Sequence, residues 1–143
     1  VINDDVMGGI STSNFYIKNN IGHFKGNVSL DNFGGFCSAR NNFKKIYVSN
    51  KSILKLIIKG DNKVYQIRVK NNANDYYSYV KNFKTSDEWE VVKIPLIEMY
   101  PSYRGRRLNK NNFDKKYIEE IAILIGNKKY ESFNLKIKSI EIE

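Results

Sequence analysis

The 143-residue sequence contains one cysteine, Cys37, and one histidine, His23. A single cysteine excludes an internal disulfide framework and any cysteine-rich zinc site. A single histidine excludes paired-histidine metal ligation. A lone His23 lacks the partners that a metal ligand or a catalytic base needs, so neither role is expected of it. No apolar run approaches the roughly 18 residues of a membrane helix, so no transmembrane segment is expected. No stretch of about a dozen residues carries a helical stripe; the best candidate, 111–121, is short and lysine-rich. Acid is scarce: Asp and Glu number 15 against 24 Lys and Arg, a net charge of +9. Lysine and asparagine are scattered through the whole chain, which reads as a solvated surface and argues against a nucleic-acid partner. Only 104–116 concentrates charge, with Arg104, Arg106, Arg107, Lys110, Lys115 and Lys116 against Asp114.

The sequence is rich in alternation with a period of two. Residues 53–59 (ILKLIIK) and 64–69 (VYQIRV) flank Gly60-Asp61-Asn62, a hairpin signal. Residues 14–18 and 23–30 suggest an earlier hairpin through Asn19-Asn20-Ile21-Gly22. Residues 34–40 and 76–80 read as short strands. Residues 89–94 read as another, which Pro95 ends or places at an edge. In 133–142, Phe133, Leu135 and Ile137 face one way with Lys136 and Lys138 opposite. Residues 118–125 read as a helical turn leading into a buried strand. Many short strands with turn signals between them predict one all-β domain over 1–143, a β-sandwich or barrel of about eight to ten strands.

Three segments carry distinctive chemistry. In 3–11 (NDDVMGGIS), Asp4 and Asp5 precede the conformationally free Gly8-Gly9 pair. The pair reads as a sandwich-end loop whose carboxylates are held by arginine. In 30–40, Phe36, Ser38 and Arg40 share one strand face and Cys37 and Ala39 the other, which makes Cys37 a small buried hydrophobe and not a nucleophile. In 89–106, Trp89 is expected to pack in the core or at a strand end, and Arg104-Gly105 reads as a turn aiming a guanidinium inward at a carboxylate such as Asp4 or Asp5.

In this order, NDDVMGGIS at 3–11, GGFCSAR at 34–40, Gly60-Asp61 with Tyr65, WEVVKIPL at 89–96 and YRGRRL at 103–108 resemble the complex I intermediate-associated protein family. The resemblance implies a galactose-binding-like jelly roll. It also implies a role in assembly, since mitochondrial members act as chaperones for respiratory complex I; the partners would then be complex I subunits or assembly factors. On the same resemblance Asn3, Met7, Gly8, Gly9, Ser11, Gly34, Gly35, Phe36, Ser38, Trp89, Pro95 and Gly105 are family-motif positions with structural roles.

The expected function is therefore a non-catalytic binding or assembly domain without a cofactor, soluble and intracellular, in a bacterial cytoplasm or a mitochondrion. Adjacent Asp4 and Asp5 point apart in an extended loop and make a poor facing acid–base pair. Asp4, Asp5, Asp31 and Asp61 are the only candidate calcium ligands, and no metal is expected. The alternative is a glycan-binding module, for which Tyr77 and Tyr79, two apart on one strand face, could stack on sugar rings. Asp4, Asp5, Arg40, Asp61 and Arg104 are expected to gather as a polar patch at one end of the sandwich, where the Gly-rich turns end strands.

Overall fold

The computed structural model describes residues 2–3, 12–30 and 35–143. Among them run twelve strands: β1 (Ile2–Asn3), β2 (Thr12–Lys18), β3 (Ile21–Val28), β4 (Cys37–Tyr47), β5 (Ile53–Lys59), β6 (Val64–Lys70), β7 (Ser78–Lys84), β8 (Trp89–Pro95), β9 (Tyr100–Tyr103), β10 (Arg106–Arg107), β11 (Tyr117–Ile125) and β12 (Glu131–Ile142). The count exceeds the expected eight to ten because β1 and β10 are only two residues long. A 3₁₀ turn, Leu96–Glu98, follows β8. The strands form a seven-stranded sheet in the order β1-β4-β11-β6-β7-β9-β10 and a five-stranded sheet in the order β2-β3-β12-β5-β8. Every neighbouring pair is antiparallel. The architecture is a jelly-roll β-sandwich.

Alternation builds the core. β5 buries Leu54, Leu56 and Ile58, its neighbour β12 adds Phe133 and Leu135, and β6 buries Tyr65, Ile67 and Val69 from the opposite sheet. Cys37 is fully buried with Ala39 packed against the core, as the small residues of that strand suggested. Strict alternation would carry Ser139 and Glu141 inward after Ile137. A register irregularity between Ile137 and Ser139 shifts the pairing by one residue, so Ile140 and Ile142 pack on the core instead.

Four local expectations change. Residues 53–59 and 64–69 do not pair as a hairpin: β5 lies between β12 and β8 in the five-stranded sheet and β6 between β11 and β7 in the seven-stranded sheet, so Gly60-Asp61-Asn62 carries the chain from one sheet to the other and the two apolar faces meet across the core. The β2–β3 connection is only Asn19-Asn20, with φ of 53° and 63°, the left-handed pair of a tight hairpin turn; Ile21 and Gly22 belong to β3. Neither 111–121 nor the start of 118–125 is helical. Tyr117–Ile125 is one strand lying between β4 and β6, and its burial on both faces makes its apolar run look continuous. The strand expected at 34–40 begins at Cys37 and runs on to Tyr47.

Candidate functional site

Side chains opposite one another in an antiparallel pair point to the same face of the sheet. On the outward face of the large sheet, register therefore lines up Arg40, Ala122, Arg68, Val80 and Tyr100 across five strands. A parallel row holds Glu120 and Lys70, and a third holds Gln66 and Asn82. Small residues alternate with long ones along the first row, so arginine and tyrosine side chains overhang Ala122 and Val80. That shielding explains why Val80 and Glu120, outward-facing residues, are 0% and 3% exposed.

The face is polar and internally wired. Arg68 Nε donates to Gln66 Oε1 at 2.7 Å, and Gln66 Nε2 donates to Asn82 Oδ1 at 3.1 Å. Glu120 Oε1 lies 4.0 Å from the Arg40 guanidinium and accepts no hydrogen bond within the described residues. Burial lowers the Arg68 pKa below the usual arginine value, and the Glu120 carboxylate counters that effect. The Glu120 carboxylate is shielded from solvent, and its charge offsets those of Arg40 and Arg68 on this face.

Asp61 has a different task. Its carboxylate accepts the Tyr65 hydroxyl at 3.1 Å on both oxygens and the Asn134 backbone N–H at 2.8 Å. Its own N–H donates to Thr85 Oγ1 at 3.4 Å. Burial, then the Asp61 charge and hydrogen bond, push the Tyr65 phenol far above its ordinary value. Gly60 is required by proximity, because a Cβ there would stand 2.2 Å from Thr85 Cβ. The Gly-Asp turn, which carries the chain from β5 in one sheet to β6 in the other, is thus tied to β12.

The far edge of the large sheet carries an aromatic cluster. Tyr76 meets Tyr77 and Tyr103 edge-on, at centroid distances of 5.0 and 5.2 Å. Tyr77 continues to Tyr79, which packs on Phe113. The Tyr77 and Tyr79 hydroxyls share a hydrogen bond at 3.4 Å, and Tyr79 is buried, so these two rings do not form the open sugar platform that their spacing suggested. Burial first, with Tyr77's hydrogen bond, also raises the Tyr79 pKa.

Among the described residues, Arg40, Asp61 and Arg104 do not come together as expected. Arg40 lies on β4 and Arg104 beyond β9, separated in the sheet by β11, β6 and β7. Arg104 does not aim inward: it sits at the exposed tip of the β9–β10 hairpin with its guanidinium over the Tyr103 ring. Asp61 bonds to Tyr65 and β12 and to neither arginine. Asp4, Asp5, Met7, Gly8, Gly9, Ser11, Asp31 and Gly34 lie outside the described residues. Asn3 pairs with Cys37 in register, Gly35 and Phe36 lead into β4, and Ser38 is buried. Trp89 is 43% exposed at the start of the edge strand β8, not core, because only β5 flanks it; Pro95 closes that strand, opposite Ile53. His23 stacks on Tyr16 at 4.8 Å. Among the described residues no three His, Cys, Asp or Glu side chains group to hold a metal, and no helix is long and apolar enough to cross a membrane. Glu120 and Arg68 escaped the sequence reading. Their signal was a charge at alternate positions of otherwise apolar strands.

A cavity of about 790 Å³ opens between the sheets beside β2 and β4. Its walls include Phe15, Ile17, Phe43, Ile121 and Ile140, and beyond Arg40 and Asn41 they offer little to orient a ligand.

The sandwich, with one outward face built of charged and amide side chains, belongs to the β-jelly-roll class. The family 11 carbohydrate-binding module of Clostridium thermocellum, solved with a β-1,3-1,4-mixed-linked tetrasaccharide, is similar in fold: TM-score 0.64 and 12% identity over 91% of this chain and 83% of that one. The same family's module from the cellulase Lic26A-Cel5E of C. thermocellum gives 0.65 and 14% over 91% and 82%. A family 30 carbohydrate-binding module gives 0.57 and 16% over 92% and 73%. These likenesses establish the fold alone. No curated protein matches the chain in sequence. The family model of complex I intermediate-associated protein 30 matches residues 1–137, and the chain belongs to that family.

Proposed function

We propose that this chain is a non-catalytic binding domain that acts through protein–protein contacts in the assembly of respiratory complex I or a similar complex. The family match over residues 1–137 carries this reading. The chemistry of the outward face supports it. Arg40 is half-exposed, and the Gln66–Asn82 amides lie beside Arg68, groups suited to holding polar side chains of a partner. The test is affinity capture of the tagged protein from its own cells, with mass spectrometry. Recovery of complex I subunits or assembly factors supports the reading; their absence from a capture that retains the bait contradicts it.

A second reading, glycan binding, is favoured by one observation. The outward face presents a hydrogen-bonded Arg68–Gln66–Asn82 chain, donors and acceptors that suit sugar hydroxyls. The fold shared with carbohydrate-binding modules agrees with it. Binding to one sugar class on a glycan array, lost in Arg68→Ala, supports this reading; no binding to any sugar removes it.

A further inference from the structure

The β9–β10 hairpin turns through Arg104 and Gly105 alone, with φ of +49° and +78°. A two-residue turn with both residues left-handed favours Asn-Gly, because a long side chain crowds its own backbone at positive φ. Turn geometry therefore does not account for an arginine at 104. Its surroundings do. The guanidinium lies 5.3 Å over the Tyr103 ring. Tyr103 abuts Tyr76, Tyr76 abuts Tyr77, and Lys110 Nζ lies 5.6 Å over the Tyr77 ring. Arg106 pairs with Tyr103 in register and shares its face. Tyr76 is 59% exposed. Among the described residues no carboxylate forms an ion pair with Arg104, Arg106 or Lys110. Asp114, the one acid in the 104–116 run, pairs with Lys115 at 3.8 Å.

We propose that this hairpin edge is a docking surface for an acidic polypeptide segment of a partner, an inference that rests on the protein-contact reading above. The segment's carboxylates take the guanidinium fork of Arg104 and the charges of Arg106 and Lys110. Its apolar side chains pack on the exposed edges of Tyr76 and Tyr103. Cation–π contact holds Arg104 and Lys110 against their rings in advance, so pairing costs less side-chain freedom than at a bare surface. Because one face of Tyr103 and one of Tyr77 are covered by cations, and Tyr76 meets its neighbours edge-on, the cluster suits side chains better than flat bases or sugars.

The test is fluorescence anisotropy with the intact chain and a labelled peptide of alternating Glu and Leu. A Gln-for-Glu peptide, oligothymidylate and a heparin fragment serve as comparison probes. Arg104→Asn suits the turn and keeps the hairpin, and Lys110→Gln keeps the stem of the side chain. We expect affinity to fall about threefold in either variant and about tenfold in both, in line with exposed ion pairs. Added salt weakens binding, and the Gln peptide binds poorly. Unchanged peptide affinity in the folded double variant overturns the proposal. So does equal or tighter binding of oligothymidylate or heparin that is lost in the same variants. If the peptide binds through these residues but capture recovers no complex I component, the surface stands and the assembly reading falls.

Discussion

At the scale of single residues, the motif positions that resemble a polar patch separate into different jobs. Asp61 serves the fold, because Tyr65 and the Asn134 N–H depend on its carboxylate. Asp61→Ala strands a buried phenol and is expected to lower stability by about 1–3 kcal/mol, measured by denaturant unfolding. Gly60→Ala forces a Cβ onto Thr85 and is expected to cost a similar amount, about 1–3 kcal/mol, through overpacking. Tyr65 also makes a signed prediction for pH. Its folded pKa is raised, by burial first and Asp61 second, above an unfolded value of about 10. Its contribution is therefore complete below about pH 10 and is lost as pH rises further, since the unfolded chain releases the proton first. The melting temperature of Tyr65→Phe should fall less steeply above that pH than that of the parent. An identical slope would show that Tyr65 is not the group involved. The Gly-Asp turn was legible in the sequence as a turn. Its bond to Asn134 was not, because that contact spans two elements far apart in the chain.

At the scale of elements, alternation placed β5, β6 and the two faces of β4 correctly as strands, since a half-buried strand writes its environment directly into its pattern. Alternation did not reveal that β5 and β6 belong to opposite sheets, because two strands joined by a short turn show the same pattern whether they pair or face each other across the core. It failed at β11 and β12 for physical reasons. A strand covered on both sides loses its alternation, and a bulge exchanges the two faces midway. The β9–β10 hairpin is an element whose sequence disagrees with its conformation. Arg104→Asn relieves the left-handed arginine and is expected to leave stability unchanged or raise it by up to about 1 kcal/mol. A marked loss in thermal melting would mean that the Arg104–Tyr103 contact holds the hairpin together. On the outward face, Glu120→Gln removes the carboxylate that balances Arg40 and the partly buried Arg68. A loss of about 1–2 kcal/mol is expected, after allowance for the solvent that reaches Arg40. Stability unchanged in denaturant unfolding would show that the two arginines do not need it.

At the scale of the whole molecule, fold class and family were readable because strand spacing and five ordered motifs extend along most of the chain. The candidate surfaces were not. Arg40, Glu120 and Arg68 become neighbours only once β11 is inserted between β4 and β6, an order no local pattern encodes. Arg104 was expected to share a rim with Arg40, whereas three strands lie between the strand of one and the hairpin of the other. The central claim is that this domain serves assembly by binding. The most direct measurement deletes the gene and follows fully assembled complex I by native gel in the cells that carry it. The account predicts less assembled complex, accumulated subassemblies, and rescue by the unaltered chain. Normal amounts of assembled complex in the deletion would contradict it.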